Sequence, residues 1–185
     1  MKFTIYQASR QGGRKNNQDR VAYSYSREAL LMVVADGMGG HMHGEIAAQI
    51  AVQTLTDQFQ KMAKPRLDDP MAFLADATTR AHYAINDYAV EQDLLEIPHT
   101  TSVAAVIQDN TAYCAHVGDS RLYLFSDGSL LARTEDHTAV AQLVRNGIIS
   151  EEEAGTHPER NKVSNCLGGY VPPQVECNAP IPLHD

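Results

Sequence analysis

A chain of 185 residues that is 43% hydrophobic and carries a net charge of -8 is long enough for one domain with a substantial core. The charge balance excludes a surface built to neutralise nucleic-acid phosphates, which needs clustered Lys and Arg. No apolar run approaches the roughly 18 residues of a membrane helix, and the start Met1-Lys2-Phe3-Thr4 lacks a secretory apolar region, so a cytoplasmic location away from membranes is expected.

In chain order, residues 2–8 and 20–25 alternate and are rich in β-formers, and 30–35 is a continuous apolar run, which predicts three strands with a hairpin around Arg27-Glu28. From Gly44 to about Gln60, Ile46, Ala47, Ile50, Ala51, Leu55 and Phe59 recur at helical spacing, with Glu45 placed to complement the helix dipole. The stretch Lys64 to Pro70 reads as a loop, followed by a second helix from Met71 to about Glu91. Residues 101–107, 111–117, 121–126 and 129–133 read as a strand meander with turns at Asp109-Asn110 and Asp127-Gly128. Short helical pieces at 138–146 and 151–155 then surround Gly147. Strands, two long helices and further strands indicate an α+β architecture rather than a βαβ alternation. Cys114, Cys166 and Cys177 are odd in number and lack metal-site or redox spacing, so buried or incidental thiols are expected.

Three segments carry chemistry. In Val33-Val34-Ala35-Asp36-Gly37-Met38-Gly39-Gly40-His41 an apolar run drives into a carboxylate and three glycines, where backbone approaches a ligand closely and a hard cation can be gripped. Upstream stands Gly13-Arg14-Lys15-Asn16-Asn17-Gln18-Asp19, and downstream Ala115-His116-Val117-Gly118-Asp119-Ser120-Arg121. Each has a plain structural alternative, since Asp and Gly are common turn residues and an Arg beside a Lys is often only solvated. His41 and His43 fall short of the ligands a zinc site needs.

Together, in this order, the segments resemble the bacterial branch of the metal-dependent PP2C-type (PPM) serine/threonine protein phosphatases, over about Tyr6 to Leu167. The resemblance implies a four-layer α-β-β-α sandwich of two antiparallel sheets flanked by helices. One phosphatase domain over 1–185, a flap at about 138–165 and absent C-terminal strands are expected. It implies hydrolysis of phosphoserine or phosphothreonine by a water bridging two Mg2+ or Mn2+ ions. Asp36 would bridge the metals, the Gly37 carbonyl would bind one of them, and Asp19 would hold their waters. Arg14 would take the substrate phosphate, and Asp119 a third, weaker ion. Asp136 and His137 are read as structural residues at the start of the flap, with Asp136 or Thr138 a natural helix cap. Phosphorylated proteins, plausible targets of a cognate serine/threonine kinase, would be the partners.

Where the eukaryotic branch of the resembled family has a proposed general-acid histidine, two residues after the bridging aspartate, this chain has Met38, leaving a metal-bound water or a nearby histidine to protonate the leaving group. His99 stands where the family has glycine, which puts the local packing in question, and two later aspartate ligands have no counterpart before Asp185. Val103, Ala105 and Ile107 are accordingly expected to be partly uncovered. A catalytically inactive phosphopeptide-binding module is the alternative from another class.

Overall fold

The computed structural model describes residues 2–38 and 43–183. Its strands and helices are β1 (Asp19–Tyr25), β2 (Ala29–Met38), α1 (Gly44–Met62), α2 (Pro70–Glu91), β3 (His99–Thr100), β4 (Ser102–Gln108), β5 (Thr111–Val117), β6 (Tyr123–Ser126), β7 (Ser129–Arg133), α3 (Ala139–Arg145), α4 (Glu151–Thr156), β8 (Glu176–Cys177) and β9 (Ile181–Pro182). The order of the main sheet is β1-β2-β4-β5-β8, with β3 paired to β2 and β9 to β5, while β6 and β7 form a second antiparallel sheet. Two antiparallel sheets form as expected, with α1 and α2 packed on the larger one.

Local chemistry accounts for the boundaries. Pro70 sits at the start of α2 with its fixed φ, and the Asp69 carboxylate accepts the Met71 and Ala72 N–H groups at 3.0 and 2.9 Å, so orphan donors of the first turn are satisfied. The β4–β5 hairpin turns on Asp109 and Asn110 at φ of 51° and 53°, the left-handed pair that matches strand twist. Leu31, Val33 and Ala35 of β2 point to one face and are buried against α1 and α2, with Leu55, Phe59, Leu74 and Ile85 at the centre.

Four sequence-based expectations change. Residues 2–8 form no strand, because an extended segment becomes one only when a neighbour supplies ladder hydrogen bonds, and no partner does so among the described residues. The meander is broken: β5 pairs with β8 and β9 instead of β6. The buried stripe of α1 is rotated to Ala47, Ala48, Ala51, Val52, Leu55, Thr56 and Phe59, leaving Ile46 and Ile50 at its margin, because alanines let the helix approach the sheet closely. Val103 and Ala105 are buried, at 5% and 3% exposure, with Ile107 half-buried. Ile5, Tyr6 and the chain around Leu122–Leu124 share with them an apolar groove of about 330 Å³.

His99 is accommodated. A Cβ on Gly169, which has φ of 90°, would lie 2.7 Å from His99 Nε2, so this glycine leaves room for the imidazole. Burial pushes the His99 pKa down. The three cysteines are free, and burial pushes the Cys114 thiol up to about 11. No helix among the described residues is long and apolar enough to cross a membrane.

Candidate functional site

Strand register makes the first contact of the site. Asp19 lies directly opposite Asp36 in the antiparallel β1–β2 pair, where facing side chains sit within about 5.5 Å. Asp36 is therefore inside the strand, two residues before its end, rather than in the loop beyond. Its backbone is held on three sides. The Asp36 N–H donates to Thr101 Oγ1 at 3.0 Å, and the Thr101 N–H and Thr100 hydroxyl both donate to the Asp36 carbonyl at 2.9 Å. Thr101 Oγ1 shares a 2.6 Å hydrogen bond with Ser120 Oγ, which links the Asp36 strand to the turn that bears Asp119.

Glycine is required at two points of this frame. A Cβ on Gly37 would run into the Gly44 backbone, so β2 can touch the start of α1 only with hydrogen there, while the Gly37 N–H donates to Gln18 at 3.2 Å. Gly118 holds φ of 102° against the Thr101 side chain, a conformation that turns the chain sharply after β5 and brings Asp119 round.

The result is a convergence of charge. Packing around Asp36, then the neighbouring Asp19 and Asp119 carboxylates, raises its pKa from 3.8 to about 6, and the Arg14 guanidinium opposes that shift. Asp36 nevertheless presents surface to solvent, so a ligand can reach it. Arg14 is shaped by a turn in which the Gln11 amide donates to the Arg14 and Lys15 carbonyls at 2.8 and 2.7 Å. A carboxyl that holds its proton more tightly than usual beside other carboxylates, with oxygen donors only, fits a hard divalent cation.

Asp36, Asp19, Asp119 and Arg14 are thus brought together. Gly37 follows Asp36 in the strand. His41, with Gly39 and Gly40, lies outside the described residues, and His43 is the N-cap position of α1 with its buried Nδ1 unpartnered. Asp136 takes the structural role expected of it by gripping Arg121 through both oxygens at 2.7 and 2.6 Å, and Thr138 caps α3. Beside Asp119, a cleft of about 580 Å³ runs to α3 and α4 and is lined by Arg121, Arg133, Arg145 and Arg160 among others.

Sequence reasoning missed a second cluster, in which nitrogens of His116 and His137 and an oxygen of Glu176 lie within 4.8 Å of one another. Only the β5–β8 register, which sets His116 opposite Glu176, and the fold-back of the chain at His137 bring them together. Their separation along the chain carried no motif.

Comparison with known proteins follows this geometry. The model of the protein phosphatase 2C family matches residues 7–157. A putative protein phosphatase 2C-type from Streptococcus pyogenes is 34% identical over 160 residues, covering 86% of this chain, and the chain spans 65% of that relative's length. The solved structure of the serine/threonine phosphatase Stp1 from Staphylococcus aureus superposes with a TM-score of 0.82 at 30% identity, over 93% of this chain and 68% of that one. The catalytic domain of the serine/threonine protein phosphatase PstP, solved with two manganese ions, gives a TM-score of 0.71 at 33% identity over 89% and 66% of the two chains. By the extent of the family match, and by the agreement of fold with these structures, this chain belongs to the protein phosphatase 2C family.

Proposed function

We propose that the protein is a Mg2+- or Mn2+-dependent phosphatase that removes phosphate from phosphoserine and phosphothreonine in proteins, within a single domain whose flap spans about 138–165. The observation that supports this most is the Asp36 carboxyl, hydrogen-bonded to Asp19 and near enough to Asp119 and Arg14 to respond to their charges. In this reading Asp36 and the Gly37 carbonyl hold the catalytic ions, Asp19 acts on them through water, and Asp119 takes a further ion. When bound, two such ions supply an acidified water aimed at phosphorus.

The chain's own residues do the rest. Arg14 offers two parallel N–H groups to two phosphate oxygens, which fixes the orientation of the ester and offsets its charge. Thr100 and Thr101 keep the Asp36 backbone still, so its carboxylate needs no rearrangement as negative charge builds up on the phosphoryl group. The substrates are phosphoproteins, among them the targets of a cognate serine/threonine kinase, and the place of work is the cytoplasm.

A phosphopeptide assay tests the reading. Turnover should require Mn2+ or Mg2+ and vanish with chelator, and Asp36→Asn should lower kcat by more than about 100-fold. An Asp36→Asn protein with over a tenth of the parent rate would refute the assignment. Phosphopeptide binding with no turnover in the parent would instead identify a binding module.

A further inference from the structure

His137 stands where four segments meet. Its backbone N–H donates to the Gly118 carbonyl at 3.0 Å, and its own carbonyl accepts from Ser164 N–H at 2.8 Å. Its ring Nδ1 faces the Gly118 N–H at 3.2 Å and the Asn165 side-chain amide at 2.8 Å. Its Nε2 faces Glu176 Oε2 at 3.1 Å, and the ring stacks on His116 with centroids 4.5 Å apart.

These contacts determine where the proton is. The Asn165 amide is oriented by a reciprocal pair with Gln174, accepting from its N–H at 3.1 Å and donating to its carbonyl at 2.7 Å. Its NH2 group therefore points at His137 Nδ1, and the Gly118 N–H points at the same atom. A nitrogen that receives two N–H donors is unprotonated, so the proton of the neutral ring is on Nε2 and is donated to Glu176. A protonated Nε2 has no lone pair for a cation. The His116 ring, inclined by only 24° to its neighbour, is stacked on it rather than converging with it on a common point. Its Nε2 donates to the Glu135 carbonyl at 2.6 Å. The two rings are thus held by separate hydrogen bonds, His137 to Glu176 and His116 to Glu135, while the buried Nδ1 of His116 has no hydrogen-bond partner.

We propose that His137 is a positioning residue, which clamps the Gly118 turn from both its N–H and C=O sides and thereby sets Asp119. This rests on the reading of Asp119 as a cation ligand for its functional meaning, though not for the clamp itself. Gly118 lies one residue before Asp119, in a left-handed conformation at φ of 102°, and His137 bonds the peptide group on each side of it. Because Ser164 and Asn165 bond the same residue, the far end of the 138–165 segment braces the turn as well.

Nitrogen-15 spectra of the full chain should show the His137 Nδ1 as an unprotonated acceptor and Nε2 as protonated, and the opposite tautomer would overturn the proposal without any substitution. In His137→Ala, amide exchange at Gly118 should be faster by about 10-fold or more, and affinity for the Mn2+ that depends on Asp119 should fall by about 10-fold, the usual size of an effect on a ligand's supporting partner. His137→Asn keeps an oxygen near the Nδ1 position and should recover most of both losses, which a merely structural role would not predict. Unchanged Gly118 exchange in His137→Ala, or equal losses in the Ala and Asn variants, would refute the clamp. Asp119→Asn separates the two ideas: undiminished Mn2+ binding there would refute the ligand reading, while the exchange rate at Gly118 still decides the clamp.

Discussion

Asp36 is poised by its neighbours, and the sign of its titration can be worked out. Its folded pKa of about 6 is above the ordinary 3.8, so between these values the folded chain keeps a proton that the unfolded chain has lost. The metal-free protein is therefore most helped by this group below about pH 4 and loses that contribution as pH rises through 6. A divalent cation must displace the same proton, so Mn2+ affinity should climb with pH up to about 6 and level off above it. Titrations at pH 5 to 7.5 check this, and an affinity flat across that range would contradict the crowding of Asp36. Arg14→Ala should raise KM for phosphopeptide more than it lowers kcat, because in the proposed role the guanidinium would hold oxygens in ground and transition states alike. Gly37→Ala puts a methyl into the Gly44 backbone and should cost about 1–3 kcal/mol of stability, measurable by denaturant unfolding.

At the scale of elements, stability is unevenly distributed. α4 has no buried residue and α3 only Val140, whereas β2 and β5 are largely buried. Hydrogen exchange should show residues 138–163 opening before 31–35 and 112–117, since few apolar contacts oppose local unfolding there. Equal protection would mean that the capping box of Ser150 and Glu153 and the bonds to His137 outweigh the missing core. Removal of the α2 cap in Asp69→Ala should cost about 1 kcal/mol, because two N–H groups lose their acceptor.

For the molecule as a whole, the proposed site would make cation binding and folding one equilibrium. The carboxylates of the proposed site come from β1, β2 and the turn after β5, so that site would form only in the folded sheet and Mn2+ should stabilise the fold. At 100 times Kd the gain is about 2.7 kcal/mol, which for a chain of this size raises Tm by about 5–10 °C. Asp36→Asn should abolish most of that shift in a thermal melt. The sequence by itself determined the elements with strong local signals: the hairpin turns at Asp109-Asn110 and Asp127-Gly128 through residues that tolerate positive φ, β2 through its apolar run, and α2 from Met71 to about Glu91, which the structure starts one residue earlier at Pro70. It also marked Asp36, Asp19, Asp119 and Arg14, because carboxylates and an arginine beside glycines are written in contiguous motifs. Only the tertiary structure decided the rest. Whether residues 2–8 are a strand depends on a partner elsewhere, which face of α1 is buried depends on how closely its alanines approach the sheet, and His99 fits only because Gly169 leaves it room. The His116, His137 and Glu176 cluster has no local signal, since its members meet through sheet register and a chain reversal, and contacts between residues far apart in sequence leave no periodicity to read.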